Sequence, residues 1–191
     1  MVYPFTGLSA SWGQSLSTMR IQNSMNTESM NNTIKIYTDG SCLGNGREGE
    51  NNRGGWAAIV IRNDNEQHQR SGHSPHTTNN QMELQAVIEG LKMVFPTEDT
   101  LIIYSDSTYV VNGLNSWMTG WKKRGWRKAD KKPVLNLEQW KELDSLRDFY
   151  PNLQAQWVRG HNGDPMNELA DSLAVDASNE AEVDRTVSYI A

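Results

Sequence analysis

Apolar residues along this chain follow two different periods. Ile34, Ile36 and Thr38 alternate with Lys35, Tyr37 and Asp39, the two-residue period of a strand with one face turned inward. Gly55-Trp-Ala-Ala-Ile-Val-Ile61 gives a second β-prone run, and residues 66–74 read as a third, more polar strand. The period then lengthens. Thr78 to Gln81 resembles a capping box, after which Leu84, Val87, Ile88, Leu91 and Phe95 form one apolar stripe at helical spacing, closed by Pro96. Leu101 to Tyr104 reads as a short buried strand followed at once by a helix beginning near Asp106, and Leu137 to Phe149 as a further helix. A last strand at Ala155 to Val158 precedes a helix opened by Asp164-Pro165, with proline at the first helical position. The order β-β-β-α-β-α-α-α-β-α predicts an α/β fold, a five-stranded mixed sheet flanked by helices.

Residues 1–32 behave differently. They are rich in Ser, Asn, Thr and Met, carry Arg20 and Glu28 as their only charges and show no sustained period. A disordered extension is expected there, ahead of one domain at 33–178 and a C-terminal tail at 179–191. Cys42 is the only cysteine, which rules out an intrachain disulfide or a cysteine zinc site and suits a reducing, cytoplasmic setting. No apolar run approaches the ~20 residues needed to span a bilayer, so no membrane partner is expected, and the chain reads as a monomer.

Four acidic residues stand where an acid needs a reason. Asp39 ends the first strand, Glu83 flanks the apolar stripe, Asp106 follows the Leu101–Tyr104 strand, and Asp171 lies in the last helix. Each has an ordinary reading: an Asp39-Gly40 turn, an exposed helix glutamate, a helix cap, a solvated helix face. Their placement is less ordinary, because a strand end, a helix flank, a strand-to-helix junction and a last helix can converge at one sheet edge. Carboxylates brought together there repel one another unless divalent cations neutralise them, and hard oxygen ligands suit Mg²⁺ or Mn²⁺.

The strings Tyr-Thr-Asp39-Gly-Ser-Cys, Thr-Thr-Asn-Asn-Gln-Met-Glu83-Leu, Tyr-Ser-Asp106-Ser and Gly-His161-Asn-Gly, the last followed after four residues by Glu168-Leu-Ala-Asp171, resemble in order the motif set of type 1 ribonuclease H. The resemblance covers roughly residues 34–178. It implies a ribonuclease H-like fold and endonucleolytic hydrolysis of the RNA strand of RNA–DNA hybrids with two Mg²⁺ ions, Mn²⁺ being a substitute. It implies metal ligation by Asp39, Glu83, Asp106 and Asp171, Asp39 touching both ions, and assistance by His161 in proton transfer or product departure. Residues matching Asn45, Thr78 and Asn80 meet the DNA backbone in such enzymes, and those matching Cys42, Asn79 and Glu83 lie beside the RNA sugars. Two features depart from the family pattern: the stretch from Gly46 to Arg53 is longer and more acidic than usual, and Thr108 stands where Gln is common.

A net charge of −5 argues at first against a nucleic-acid partner. Its distribution reverses that argument. Between Trp117 and Lys132 seven cations face Asp130 alone, a local charge of +6 that leaves −11 for the rest. Lys122, Lys123 and Arg124 resemble the basic protrusion, or handle, with which cellular ribonucleases H grip DNA. Trp117 and Trp121, spaced i,i+4, could supply flat surface for sugars or bases, while some tryptophans of this region are expected to pack the protrusion onto the domain. A catalytically silent hybrid-binding protein would keep this segment and lose a carboxylate, yet all four are present.

Overall fold

A computed structural model describes residues 32–44, 52–63 and 66–188, the side chains of 182–188 aside. The expected N-terminal extension, apart from Asn32, and Asn45 lie outside the described residues. Five strands form one mixed sheet in the order β3-β2-β1-β4-β5. They are β1 (Thr33–Leu43), β2 (Arg53–Arg62), β3 (Glu66–Ser74), β4 (Thr100–Ser105) and β5 (Leu153–Trp157). β1, β2 and β3 run antiparallel, whereas β1, β4 and β5 run parallel. Early in β1 one face, with Ile34 and Ile36, is buried and the other, with Lys35 and Tyr37, is half-buried, which is why its alternation is so regular.

One feature of the register makes the site. β1 pairs with β4 only as far as Tyr37 with Tyr104, whose rings stack at 4.7 Å, yet it stays paired with β2 to Leu43 opposite Arg53. Beyond Tyr37 the two parallel strands part, and a crevice opens at their carboxyl ends, the usual ligand position in such sheets. Asp39 therefore does not end its strand. It sits inside β1 opposite Ala57, and Gly40 continues the ladder opposite Trp56, so the Asp39-Gly40 turn is absent.

Helix α1 (Asn79–Lys92) begins on a complete capping box, the Thr78 side chain accepting from Gln81 N and the Gln81 side chain from Thr78 N. Leu84, Val87, Ile88 and Leu91 are fully buried. Phe95, expected to extend this stripe, is 83% exposed. The helix ends at Lys92 with Met93 as its cap, so Phe95 lies past the helix end and the stripe loses its last member.

After β4 a single helical run comprises α2 (Thr108–Asn112), a π-helical turn (Gly113–Trp117) and α3 (Met118–Lys123). The π turn lies under Trp140 of α4 (Leu137–Arg147), and a Cβ on Gly113 would run into that indole. Asn115 on this turn bonds the backbone of edge strand β5, its amide donating to Ala155 O at 2.7 Å and its oxygen accepting from Ala155 N at 3.3 Å. Helix α5 (Pro165–Ser188) opens as expected, with Asp164 Oδ1 accepting from Met166 N and Asn167 N, and residues 179–188 of the expected tail continue it.

Candidate active site

The crevice between β1 and β4 collects the acids. One carboxylate oxygen from each of Asp39, Glu83 and Asp106 lies within 4.8 Å of the others. Asp39 comes from mid-β1 and Asp106 from the residue after β4. Glu83 reaches the same place because α1 lies directly on Gly40, where any Cβ would collide with the backbone of Met82 and Glu83. The glycine is thus needed for a close approach of helix to strand. Asp106 does not cap α2; Ser107 does, accepting from Val110 N at 3.4 Å. Its neighbours hold Asp106 instead: Trp157 Nε1 donates to its carbonyl at 2.9 Å, the buried Asn167 side chain hydrogen-bonds its carboxylate, and Gly160 packs against that carboxylate.

Asp171 on α5 lines the same cleft, about 490 Å³ in volume, together with Gly40, Ser41, Cys42, Asn79 and Asn80. It lies outside the tight group of three. Its side chain is 36% exposed, and His161 Nδ1 is 3.8 Å from its Oδ2. His161 itself is 80% exposed in the loop before α5, with a left-handed φ of 50°.

Three like charges at this spacing carry an electrostatic cost. Burial, followed by repulsion from Asp106 and Asp171, raises the Asp39 pKa to about 7. Burial, then Asp39 and Asp106, push Glu83 well above the usual carboxylate range, and burial with Asp171 also raises Asp106. Glu83 is 4% exposed, and its Oε2 has no hydrogen-bond partner, whereas Oε1 accepts from Asn79 Nδ2 at 3.3 Å. An unpartnered buried carboxylate oxygen facing two further acids fits a divalent cation with oxygen ligands, which would supply the missing partner and neutralise the repulsion.

The expected substrate contacts divide. Cys42, Asn79 and Asn80 line the cleft, Cys42 donating weakly to Thr77 O at 3.5 Å. The Thr78 hydroxyl is occupied in capping α1. Trp121 is 8% exposed and packs on Trp140 at 5.3 Å in the core, so of the two tryptophans only Trp117, at 40%, presents a broad surface. Lys122 Nζ is 2.7 Å from Asp144 Oδ2 on α4. Arg124 Nε donates to Arg127 O at 3.2 Å, and Lys123 is exposed. A slightly larger groove, about 530 Å³, runs between β3 and the starts of α1 and α4 and includes none of the four acids.

Tyr109 had no distinguishing signal in the sequence. It lines the acidic cleft, its hydroxyl accepts from Trp140 Nε1 at 2.9 Å and Asn136 Nδ2 at 3.2 Å, and its ring lies 6.2 Å from that of Trp117. It therefore joins the cleft to the basic segment. Only its neighbourhood, an aromatic three residues after an acid, could have drawn attention to it.

The family model for RNase H matches residues 31–179. A protein of Cupriavidus necator named Ribonuclease H is 46% identical over 141 residues, covering 74% of this chain and 92% of that protein. One of the same name from Bradyrhizobium diazoefficiens is 44% identical over 155 residues, covering 81% and 96%. Among solved structures, LC9-RNase H1, described as a type 1 RNase H with the type 2 active-site motif, is similar with a TM-score of 0.67 and 35% identity over 78% of this chain and 74% of that one. A match of this length, on a sheet and cleft of this form, makes the chain a member of the ribonuclease H family of metal-dependent endoribonucleases.

Proposed function

We propose that this protein cuts the RNA strand of RNA–DNA hybrids endonucleolytically, leaving 5′-phosphate and 3′-hydroxyl ends and reading little base sequence. The observation that carries this reading is the buried acidic group, with its unpartnered Glu83 oxygen, in a chain of this family. Asp39, Glu83, Asp106 and Asp171 would hold two divalent cations, Mg²⁺ with Mn²⁺ as substitute. When bound, such ions activate a water and stabilise the leaving oxygen of a phosphodiester.

The chain's own groups do the rest. His161, exposed beside Asp171, moves a proton at the departing strand. Cys42 and Asn79, lining the cleft, lie beside the RNA sugar, where a 2′-hydroxyl separates RNA from DNA. Asn45, Thr78 and Asn80 meet the DNA backbone. Lys123 and Trp117 offer charge and surface to the DNA strand, with Lys122 and Arg124 joining as their internal bonds yield. We place the working domain at 33–178 and the protein in the cytoplasm as a monomer; among the described residues no helix is long and apolar enough to cross a membrane.

A cleavage assay in Mg²⁺ with an RNA–DNA hybrid, duplex RNA, duplex DNA and single-stranded RNA tests the proposal. Cutting confined to the RNA of the hybrid is expected. Equal cutting of duplex RNA, or none of the hybrid, overturns it.

A further inference from the structure

The loop that carries His161 is clasped at both ends. Gly160 is packed against the Asp106 carboxylate, which a Cβ there would displace. At the other end the Gly163 amide donates to Glu168 Oε1 at 2.9 Å. Between them His161 adopts a left-handed φ of 50° and Gly163 one of 81°. For histidine that conformation is uncommon and needs its surroundings to hold it. The contacts of His161 are loose: it is 80% exposed, Asp171 is 3.8 Å away, and Asp39 and Asp106 act on it only through charge.

Glu168 lies in the first turn of α5, one turn before Asp171, and the start of that helix is already capped by Asp164. Its carboxylate is therefore not needed to close the helix end. It reaches back instead to the residue two beyond His161. Hydrogen bonds to an ionised acceptor are stronger than neutral ones, so this one fastens an otherwise exposed loop to the helix that bears Asp171.

We infer that Glu168 is a positioning residue, a latch that holds the His161 loop in its working place beside Asp171. The inference rests on the proposed role of His161 in turnover. Glu168 touches neither the carboxylate group of three nor the residues expected at the sugars, and its effect is on the loop alone.

Amide hydrogen exchange at Gly163, read in the metal-free protein, tests the latch directly, and kinetics test its use. Glu168→Ala should speed exchange of that amide and lower kcat roughly 3- to 10-fold, the scale of one hydrogen bond lost at an exposed site, leaving KM and the Mg²⁺ midpoint in place. Glu168→Gln keeps an accepting oxygen and should recover most of the rate. In a His161→Ala background Glu168→Ala should cost nothing further, since both changes disable one device. Unchanged Gly163 exchange overturns the latch. So does a shifted Mg²⁺ midpoint, a loss that multiplies with that of His161→Ala, or a lowered Tm with full rate, which would reduce Glu168 to a favourable charge at a helix start. If His161→Ala alone keeps full rate, the His161 reading fails, and faster Gly163 exchange in Glu168→Ala would separate that failure from one of the hydrogen bond.

Discussion

The acidic cleft and the basic segment are opposites in more than charge. In the cleft, Asp39 and Glu83 are buried and held on strand and helix, with like charges forced together and an oxygen left without a partner. In the basic segment the charges are exposed, and two of the expected contacts are engaged within the protein, Lys122 with Asp144 and Arg124 with the Arg127 carbonyl. The first arrangement is rigid and unfavourable until something binds. The second is at ease without a ligand and gives up only surface bonds when one arrives. On the proposed function, chemistry that needs fixed geometry would sit on the sheet, and attraction that needs only charge on the basic segment.

The sharpest way to break this contrast is Asp39→Asn. The change keeps the shape, removes one buried like charge and takes away the acid proposed as the central metal ligand. Turnover should fall by orders of magnitude, ~10³-fold or more, while hybrid affinity stays close to that of the parent, because the lost interaction acts in the transition state. Folding should not suffer, since Asp39 is repelled by Asp106 and Asp171. Single-turnover kinetics beside a binding titration separate the two quantities; a variant with near-parental rate would remove the cleft from the chemistry.

The same repulsion gives a pH dependence. The folded protein holds a proton on Asp39 up to about pH 7, whereas the unfolded chain releases it near 3.8. Between those values the folded state binds more protons, so metal-free stability falls as pH rises from about 4 to about 7, and the penalty is fully present above that window. Glu83 and Asp106 shift in the same direction. Metal-free Tm should drop by several degrees from pH 5 to pH 8. Saturating Mg²⁺ should restore most of it by binding the folded state, and Asp39→Asn should flatten the slope. A scanning-calorimetry series in which Tm climbs with pH in the absence of metal would refute the assignment of these shifts.

What could be read from the chain follows the range of the forces involved. Periodicity set out the strands and the buried face of α1, since both depend on neighbours a few residues away. Phe95 escaped because α1 stops at Lys92, before the apolar stripe does, and hydrophobic spacing does not mark a helix end. Asp39 looked like a strand end because Gly-Ser-Cys-Leu carries no alternation, although β2 pairs with it to Leu43. Burial of Glu83 depends on the absence of a Cβ at Gly40, forty-odd residues earlier, and was visible only through motif resemblance. Tyr109 and the Lys122–Asp144 pair are tertiary contacts with no local trace, and so the connection between cleft and protrusion could not be seen.

That connection leaves a finer difference between two adjacent lysines. Lys123 is exposed, and Lys122 is bound to Asp144 at 2.7 Å, which raises its pKa through the hydrogen bond and the charge. If both met phosphate equally, each alanine substitution would reduce the slope of log affinity against log salt by about one. Docking Lys122 onto a phosphate, however, requires release from Asp144, so its contact is won only as a difference between two ion pairs. Lys123→Ala should therefore lower the slope by nearly the full amount and raise KM a few-fold, and Lys122→Ala by distinctly less. Asp144→Asn should then act in the opposite sense, freeing Lys122 and steepening the slope. Equal slopes for the two lysine variants, with no response to Asp144→Asn, would mean that the pair opens freely in solution and that the basic segment acts as a plain cluster of charges.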